Sequence, residues 1–237
     1  MKLNSDKLYF LEISTSIILL LQTVVISQKL DAKISLKVEG NGFHRLLIYH
    51  VNFNNELEKC YATIYLTLPQ ALYVNVNELT DLTRLGITTA CSVGETDIEQ
   101  FAENAESQNV TICSPLTGMI SVLKLPVHQR YQYPSESDLH TNIILPKPKL
   151  LLGCKERVKE YRISKIDLCL PCAELVSKWR EIPFIMGKED FVWIVPIGNS
   201  TMCTVVTYVT LLVTVLCTAF LAWTVSKSVP KEHEKKE

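Results

Sequence analysis

The chain has 237 residues, 47% hydrophobic and 21% charged, with a formal net charge of -1. That length accommodates one ordinary globular core plus a membrane segment. A charge balance this close to zero creates no global field, so nothing in the composition supports nucleic-acid binding.

Lys2 and Lys7 precede an uncharged run from Ile13 to Ser27. The run is short for a bilayer span and ends in a tolerable cleavage context, Val25-Ile26-Ser27, which predicts a signal peptide over residues 1–27. Retention of the run as an uncleaved anchor is the other reading of the same residues.

From residue 28 to residue 203 the apolar pattern is short and strand-like. Strands are predicted at Ile34 to Val38, Arg45 to Asn52, Tyr61 to Thr67, Val110 to Cys113 and Met119 to Leu125. Others are predicted at His128 to Tyr133, Thr141 to Leu145, Leu150 to Leu152 and Phe191 to Val195. Many short strands punctuated by Asn, Gly and Pro imply an all-β lumenal domain, sandwich-like and antiparallel, followed by a single transmembrane α-helix. Asn77 is placed to cap a brief helix running through Leu85, with Gly86 ending it. A second short helix is expected from Pro171 to about Arg180, with Leu175, Val176 and Trp179 on one buried face.

Glu95 to Glu106 is acidic, has few packing residues and is expected to be a mobile loop. Asn109-Val110-Thr111 follows as a glycosylation sequon, and Asn109 is the expected acceptor. Asn199-Ser200-Thr201 is a second sequon, expected to stay bare because it lies so close to the membrane span. Six cysteines precede that span: Cys60, Cys91, Cys113, Cys154, Cys169 and Cys172. An even number in an oxidising compartment predicts disulfides, with connectivity open. Cys169-Leu170-Pro171-Cys172 also has the spacing of a redox-active pair, although no βαβ pattern surrounds it.

In Leu125-Pro126-Val127-His128-Gln129-Arg130-Tyr131-Gln132-Tyr133-Pro134, polar and apolar residues alternate with the period of an extended strand. Its prolines cannot donate to a ladder, so the strand should be short or at an edge. His128, Arg130, Tyr131 and Tyr133 combine apolar area with polar tips, which suits a protein interface. The basic residues between Lys147 and Lys165 are interrupted by Glu156 and Glu160, giving a solvated face or, as the second reading, a lipid head-group contact.

Thr204 to Val225 carries no charge and is long enough to cross a bilayer as a helix. Lys227, Lys231, Lys235 and Lys236 follow it, which predicts a type I protein with a short cytosolic tail over residues 226–237. Thr207, Thr210 and Thr214 form a small, weakly polar stripe on that helix. The stripe permits close approach of a partner helix; alternatively, the hydroxyls bond back to their own helix.

The decamer with its pattern LPVHxRYxxP, followed by Asn142 to Leu145, Pro146, Pro148 and Cys154, resembles the lumenal domain of the PIG-X family. Further pieces match in family order: Gly42-Phe43-His44-Arg45 with Leu46, Leu72-Tyr73-Val74 leading to Glu78-Leu79, Pro171-Cys172-Ala173, and Val195-Pro196-Ile197-Gly198. Asn75 departs from a familiar aspartate, and Cys169 is not required by the family pattern.

The resemblance implies a non-catalytic accessory subunit of glycosylphosphatidylinositol (GPI) mannosyltransferase I in the endoplasmic reticulum membrane. It also implies a multi-pass catalytic partner similar to PIG-M, which transfers the first mannose from dolichol-phosphate-mannose. No cofactor is implied.

The residues agree with an absence of catalytic machinery. The chain has no Asp-x-Asp pair, His-Glu-x-x-His zinc motif, Gly-x-Ser-x-Gly elbow or phosphate loop. His44, His50, His128 and His140 are scattered among strand and loop candidates and read as surface or packing residues. The same topology would permit a cell-surface receptor or adhesion ectodomain, or a membrane-tethered thiol oxidoreductase.

Overall fold

The computed structural model describes residues 30–156, 158, 160–187 and 191–228. The expected signal peptide and the tail beyond residue 228 lie outside them. The first half contains β1 (Ala32–Glu39), β2 (His44–Phe53), β3 (Cys60–Leu68), β4 (Leu72–Tyr73), α1 (Val76–Arg84), β5 (Thr89–Gly94) and β6 (Gln108–Pro115). The second contains β7 (Ile120–Gln129), β8 (His140–Leu145), β9 (Lys149–Cys154), α2 (Cys172–Leu175), β10 (Trp179–Glu181), β11 (Phe184–Met186), β12 (Phe191–Pro196) and α3 (Cys203–Ser228).

Two five-stranded sheets, ordered β11-β1-β2-β7-β4 and β10-β9-β3-β6-β5, form a sandwich, and β12-β8 forms a two-stranded sheet. All pairings are antiparallel except β1 with β11. The period of two creates the core: Leu47, Tyr49, Val51 and Phe53 of β2 point inward with Leu123, Leu125 and Val127 of β7. They share one cluster with Ala62, Ile64, Leu66 and Leu68 of β3, Val110 and Ile112 of β6, and Leu150 and Leu152 of β9. Ile143, Leu145, Trp193 and Val195 of the small sheet join the same core.

Several boundaries differ from expectation for identifiable reasons. Strands expected at Met119 to Leu125 and His128 to Tyr133 are one continuous strand, β7, which ends at Gln129. Pro126 is tolerated because amides alternate along β7. The Gln129 N–H donates to Phe43 O on the β2 side and the Arg130 N–H to Ala71 O on the β4 side. Pro126 therefore turns its ring nitrogen toward the β4 side, where β4 pairs only Leu72 and Tyr73 with Gln129 and His128.

The first helix starts two residues earlier than expected. Asn75, not Asn77, is its N-cap, accepting from the N–H groups of Asn77 and Glu78. Gly86, at φ 70, follows the helix in the left-handed region. The helix expected from Pro171 to about Arg180 is only the single turn of α2, because Trp179 to Glu181 pair with β9 instead. α3 spans the predicted 204–225 segment and buries none of its residues, so its whole surface is free to face lipid or another helix.

Candidate functional site

The register of three strands assembles the site at the end of β7. His128 is directly opposite His44 of β2 and Tyr73 of β4, so three aromatic rings stand side by side across the sheet. Ring centroids are 4.6 Å apart for His44 and His128 and 5.1 Å for Tyr73 and His128. Glu78, at the third position of α1, reaches the same place. Its Oε2 lies 2.7 Å from His128 Nε2 and its Oε1 3.4 Å from His44 Nε2. In a capping box the acidic residue at this position turns back to the N-cap amide, whereas here both oxygens are directed at imidazoles.

Arg130 belongs to the interior and is corrected as an interface residue. It is 2% exposed, and Nη1 donates to the carbonyl oxygens of Asp97 and Gln100, the latter at 3.2 Å. The guanidinium carbon also lies 4.7 Å from the centroid of the Tyr73 ring. Burial raises the Tyr73 hydroxyl above its ordinary pKa, with the Arg130 charge opposing that shift. Arg130 thus takes two backbone carbonyls from the acidic stretch 95–106.

That stretch was expected to be mobile, yet it is fastened down. The Ala102 N–H donates to Tyr131 O, Asn104 Nδ2 donates to the Tyr133 hydroxyl at 2.7 Å, and the Tyr133 N–H donates to Glu103 Oε1 at 2.9 Å. Ala102 and Ala105 are buried beneath it. Its buried residues are small and most of its bonds use at least one main-chain atom, which composition conceals.

Past Arg130 the chain turns outward. Tyr131 is 68% exposed and Tyr133 46%, and each has an exposed aromatic neighbour: Phe43 lies 5.1 Å from Tyr131, and Phe101 4.8 Å from Tyr133. Two pairs of exposed aromatic rings, built on tyrosines two positions apart in the chain, present apolar area with polar tips of the kind that protein interfaces use. The segment that follows Tyr133 is tied to the residues just ahead of α3. The Ser135 N–H donates to Gly198 O, the Ser200 N–H donates to Ser135 O, and α3 begins at Cys203.

The remaining candidate residues are placed as follows. All six cysteines before α3 are in disulfides: Cys60 with Cys154, Cys91 with Cys169, and Cys113 with Cys172. The sulfurs of Cys169 and Cys172 go to different strands, so these two residues are not a redox pair with each other.

Asn109 is the second residue of β6, half-buried, where its Oδ1 accepts from Thr67 Oγ1 at 2.8 Å. Asn199 caps a short 3-10 turn, its Oδ1 accepting from the N–H and hydroxyl of Thr201. The hydroxyls of Thr207, Thr210 and Thr214 bond back to the carbonyls of Cys203, Val206 and Thr210. Their stripe therefore offers close approach rather than free donors.

The histidines were read separately, and the convergence of His44, Glu78 and His128 was missed. So was the pairing of Phe43 and Phe101 with the two tyrosines. The segments Gly42 to Arg45, Leu72 to Glu78 and Leu125 to Pro134 were each visible as matching pieces. What joins them is strand register.

Fold and site together define a β-sandwich followed by one helix long and apolar enough to cross a membrane, with exposed aromatic rings close to the residues that lead into that helix. A family profile described as PIG-X / PBN1 matches residues 40–226, and the chain belongs to that family. It is 31% identical over 205 residues to the human protein named GPI alpha-1,4-mannosyltransferase I, stabilizing subunit, covering 81% of this chain and 78% of the relative. Proteins of the same name in Rattus norvegicus and Mus musculus are 30% and 29% identical over 202 residues, each match covering 79% of this chain and respectively 79% and 78% of the relative.

Proposed function

We propose that this chain is the non-catalytic stabilising subunit of GPI mannosyltransferase I, resident in the endoplasmic reticulum membrane with its β-sandwich in the lumen. The observation that carries this reading is similarity over about four fifths of the chain to proteins named for that role. In this reading the catalytic groups belong to a multi-pass partner similar to PIG-M, which transfers the first mannose from dolichol-phosphate-mannose to the GPI precursor.

The geometry supplies a way to hold such a partner. Phe43, Phe101, Tyr131 and Tyr133 would cover a lumenal surface close to the bilayer, and the Thr207, Thr210 and Thr214 stripe would admit one of its helices. His128 and Arg130 act behind this face: they fix the strand end and the acidic segment from which the aromatic rings project. Binding the folded partner and not its unfolded form stabilises it by mass action.

The test uses microsomes from cells lacking this protein, rescued with the native chain or with variants. Without the protein, the unmannosylated precursor should accumulate and the multi-pass partner should disappear. A Tyr131→Ser, Tyr133→Ser variant should fold, because both rings are exposed, yet recover about 30-fold less partner on co-purification. Replacing Thr207, Thr210 and Thr214 by leucine should give a smaller loss. Glycans at Asn109 should stay endoglycosidase-sensitive, as expected of a resident protein. Normal mannosylation and normal partner abundance without this chain would refute the assignment.

A further inference from the structure

His44, Glu78 and His128 come from β2, α1 and β7, and one ligand atom from each lies within 4.8 Å of the other two. We propose that the two imidazole Nε2 atoms and the Glu78 carboxylate bind a divalent transition metal ion, with zinc as the probe. Imidazole nitrogen combined with a carboxylate suits zinc and its first-row neighbours, whereas calcium and magnesium take mostly oxygen ligands.

The dimensions fit with side-chain adjustment alone. Zinc bonds of about 2.0–2.1 Å set neighbouring tetrahedral donors roughly 3.3 Å apart. His44 Nε2 and Glu78 Oε1 are already 3.4 Å apart. His128 Nε2 and Glu78 Oε2, at 2.7 Å, form a hydrogen bond and must separate slightly as an ion enters. Coordination through Nε2 uses the His128 tautomer that carries its proton on Nδ1, and the metal bond takes the place of the hydrogen bond.

The surroundings favour a built site over a chance cluster. Strand pairing fixes His44 opposite His128, Tyr73 stacks on the His128 ring, and the Asn75 cap fixes the helix turn that presents Glu78. Side-chain exposures of 54% for His44, 30% for Glu78 and 23% for His128 leave an entry path from the His44 side. Three protein ligands leave a fourth position for water. An ion here would tie together segments that are 34 and 50 residues apart in sequence, from His44 to Glu78 and from Glu78 to His128, in the sheet that has no disulfide. This inference rests on the cluster alone, not on the docking face, so either can fail without the other.

The experiment uses the full chain in detergent, stripped with a chelator and titrated with zinc chloride. The background carries Cys203→Ser and Cys217→Ser, which removes the two free thiols as competing ligands. One zinc ion per chain should bind and raise the thermal midpoint, and cobalt in its place should give the visible absorption of a tetrahedral site. His44→Gln, at an exposed position that folding tolerates, should weaken zinc binding by about 100-fold or more, beyond the effect typical of a residue behind the ligands. His128→Gln should do the same, and His50→Gln should change nothing. Absence of stoichiometric zinc binding would overturn the proposal, as would affinity unchanged in His44→Gln.

Discussion

Sheet β10-β9-β3-β6-β5 and sheet β11-β1-β2-β7-β4 share one core but are secured by different chemistry. Every disulfide touches the first: Cys60 and Cys154 join β3 to β9, while Cys91 of β5 and Cys113 of β6 hold the segment around α2. The second has no cysteine in any of its strands and is fastened at the β7 end by the Arg130 guanidinium and the His44, Glu78 and His128 cluster. The exposed aromatic rings gather near that end of the second sheet: Phe43 just before β2, Tyr131 and Tyr133 just past β7, and Phe101 from the segment between β5 and β6 of the first sheet. Covalent ties therefore secure the first sheet, and polar ties secure the end of the second sheet nearest the exposed aromatic rings.

The largest test of this contrast removes one staple. The disulfide between Cys60 and Cys154 spans 94 residues of sequence, and replacing both by alanine should cost about 4 kcal/mol through the freedom regained by the unfolded chain. Denaturant unfolding of the purified chain measures it, and a loss below about 1 kcal/mol would mean the covalent ties are dispensable.

Next in size is Arg130→Met, which leaves the Asp97 and Gln100 carbonyls without their charged donor. A cost of about 3 kcal/mol is expected, since breaking a buried hydrogen-bond network is among the more damaging changes. Unlike the disulfide variant, it should act first on residues 95–106, detected as new protease cleavage there and faster exchange of the Ala102 amide. Arg130→Lys should restore little, because an ammonium on a flexible stem does not reproduce a planar donor held over the Tyr73 ring.

Gly153→Ala probes the stapled sheet without touching sulfur. A Cβ at Gly153 would meet Val176 and lie 2.8 and 2.9 Å from atoms of the Trp179 ring. Overpacking of this kind should cost about 2 kcal/mol by lifting β10 and the disulfide-bound segment off β9, seen as a lower thermal midpoint. If the variant were as stable as the native chain, close packing of that segment would not be part of what secures the sheet.

The all-β character, the single long apolar helix and most core strands were legible because alternation in β2, β3 and β7 reports directly which side chains are buried. The short strands β4, β5, β10 and β11 were not, since two to six residues provide too little period and their pairing depends on distant partners. The site was half legible. Tyr131 and Tyr133 stand exposed, as an interface would require, but Arg130 is buried by its contacts with residues 95–106, a segment whose charge suggested mobility. His128 resembled an isolated histidine because its partners lie 84 residues before it in the case of His44 and 50 in the case of Glu78, brought together only by register.

The smallest expected effect separates the sheets by their buried hydroxyls. Tyr49 of β2 is fully buried, and its hydroxyl has no hydrogen-bond partner among the described residues. Thr63 of β3 is its counterpart in the other sheet, also buried with an unpartnered hydroxyl. Removing such a group recovers its desolvation cost, so Tyr49→Phe should be neutral or stabilising by up to about 1 kcal/mol, as should Thr63→Val.

Only the tyrosine variant should carry a pH signature. Burial pushes the Tyr49 hydroxyl well above its ordinary value, so the folded chain keeps this proton at pH values where the unfolded chain releases it. Stability linked to Tyr49 is therefore intact below about pH 10 and is lost as pH rises above it. Tyr49→Phe should flatten that alkaline decline by about one proton's worth of slope, whereas Thr63→Val should leave it unchanged. An alkaline slope identical in the native chain and Tyr49→Phe would mean that water or another donor reaches this hydroxyl, and that the interior of the disulfide-free sheet is less dry than its burial implies.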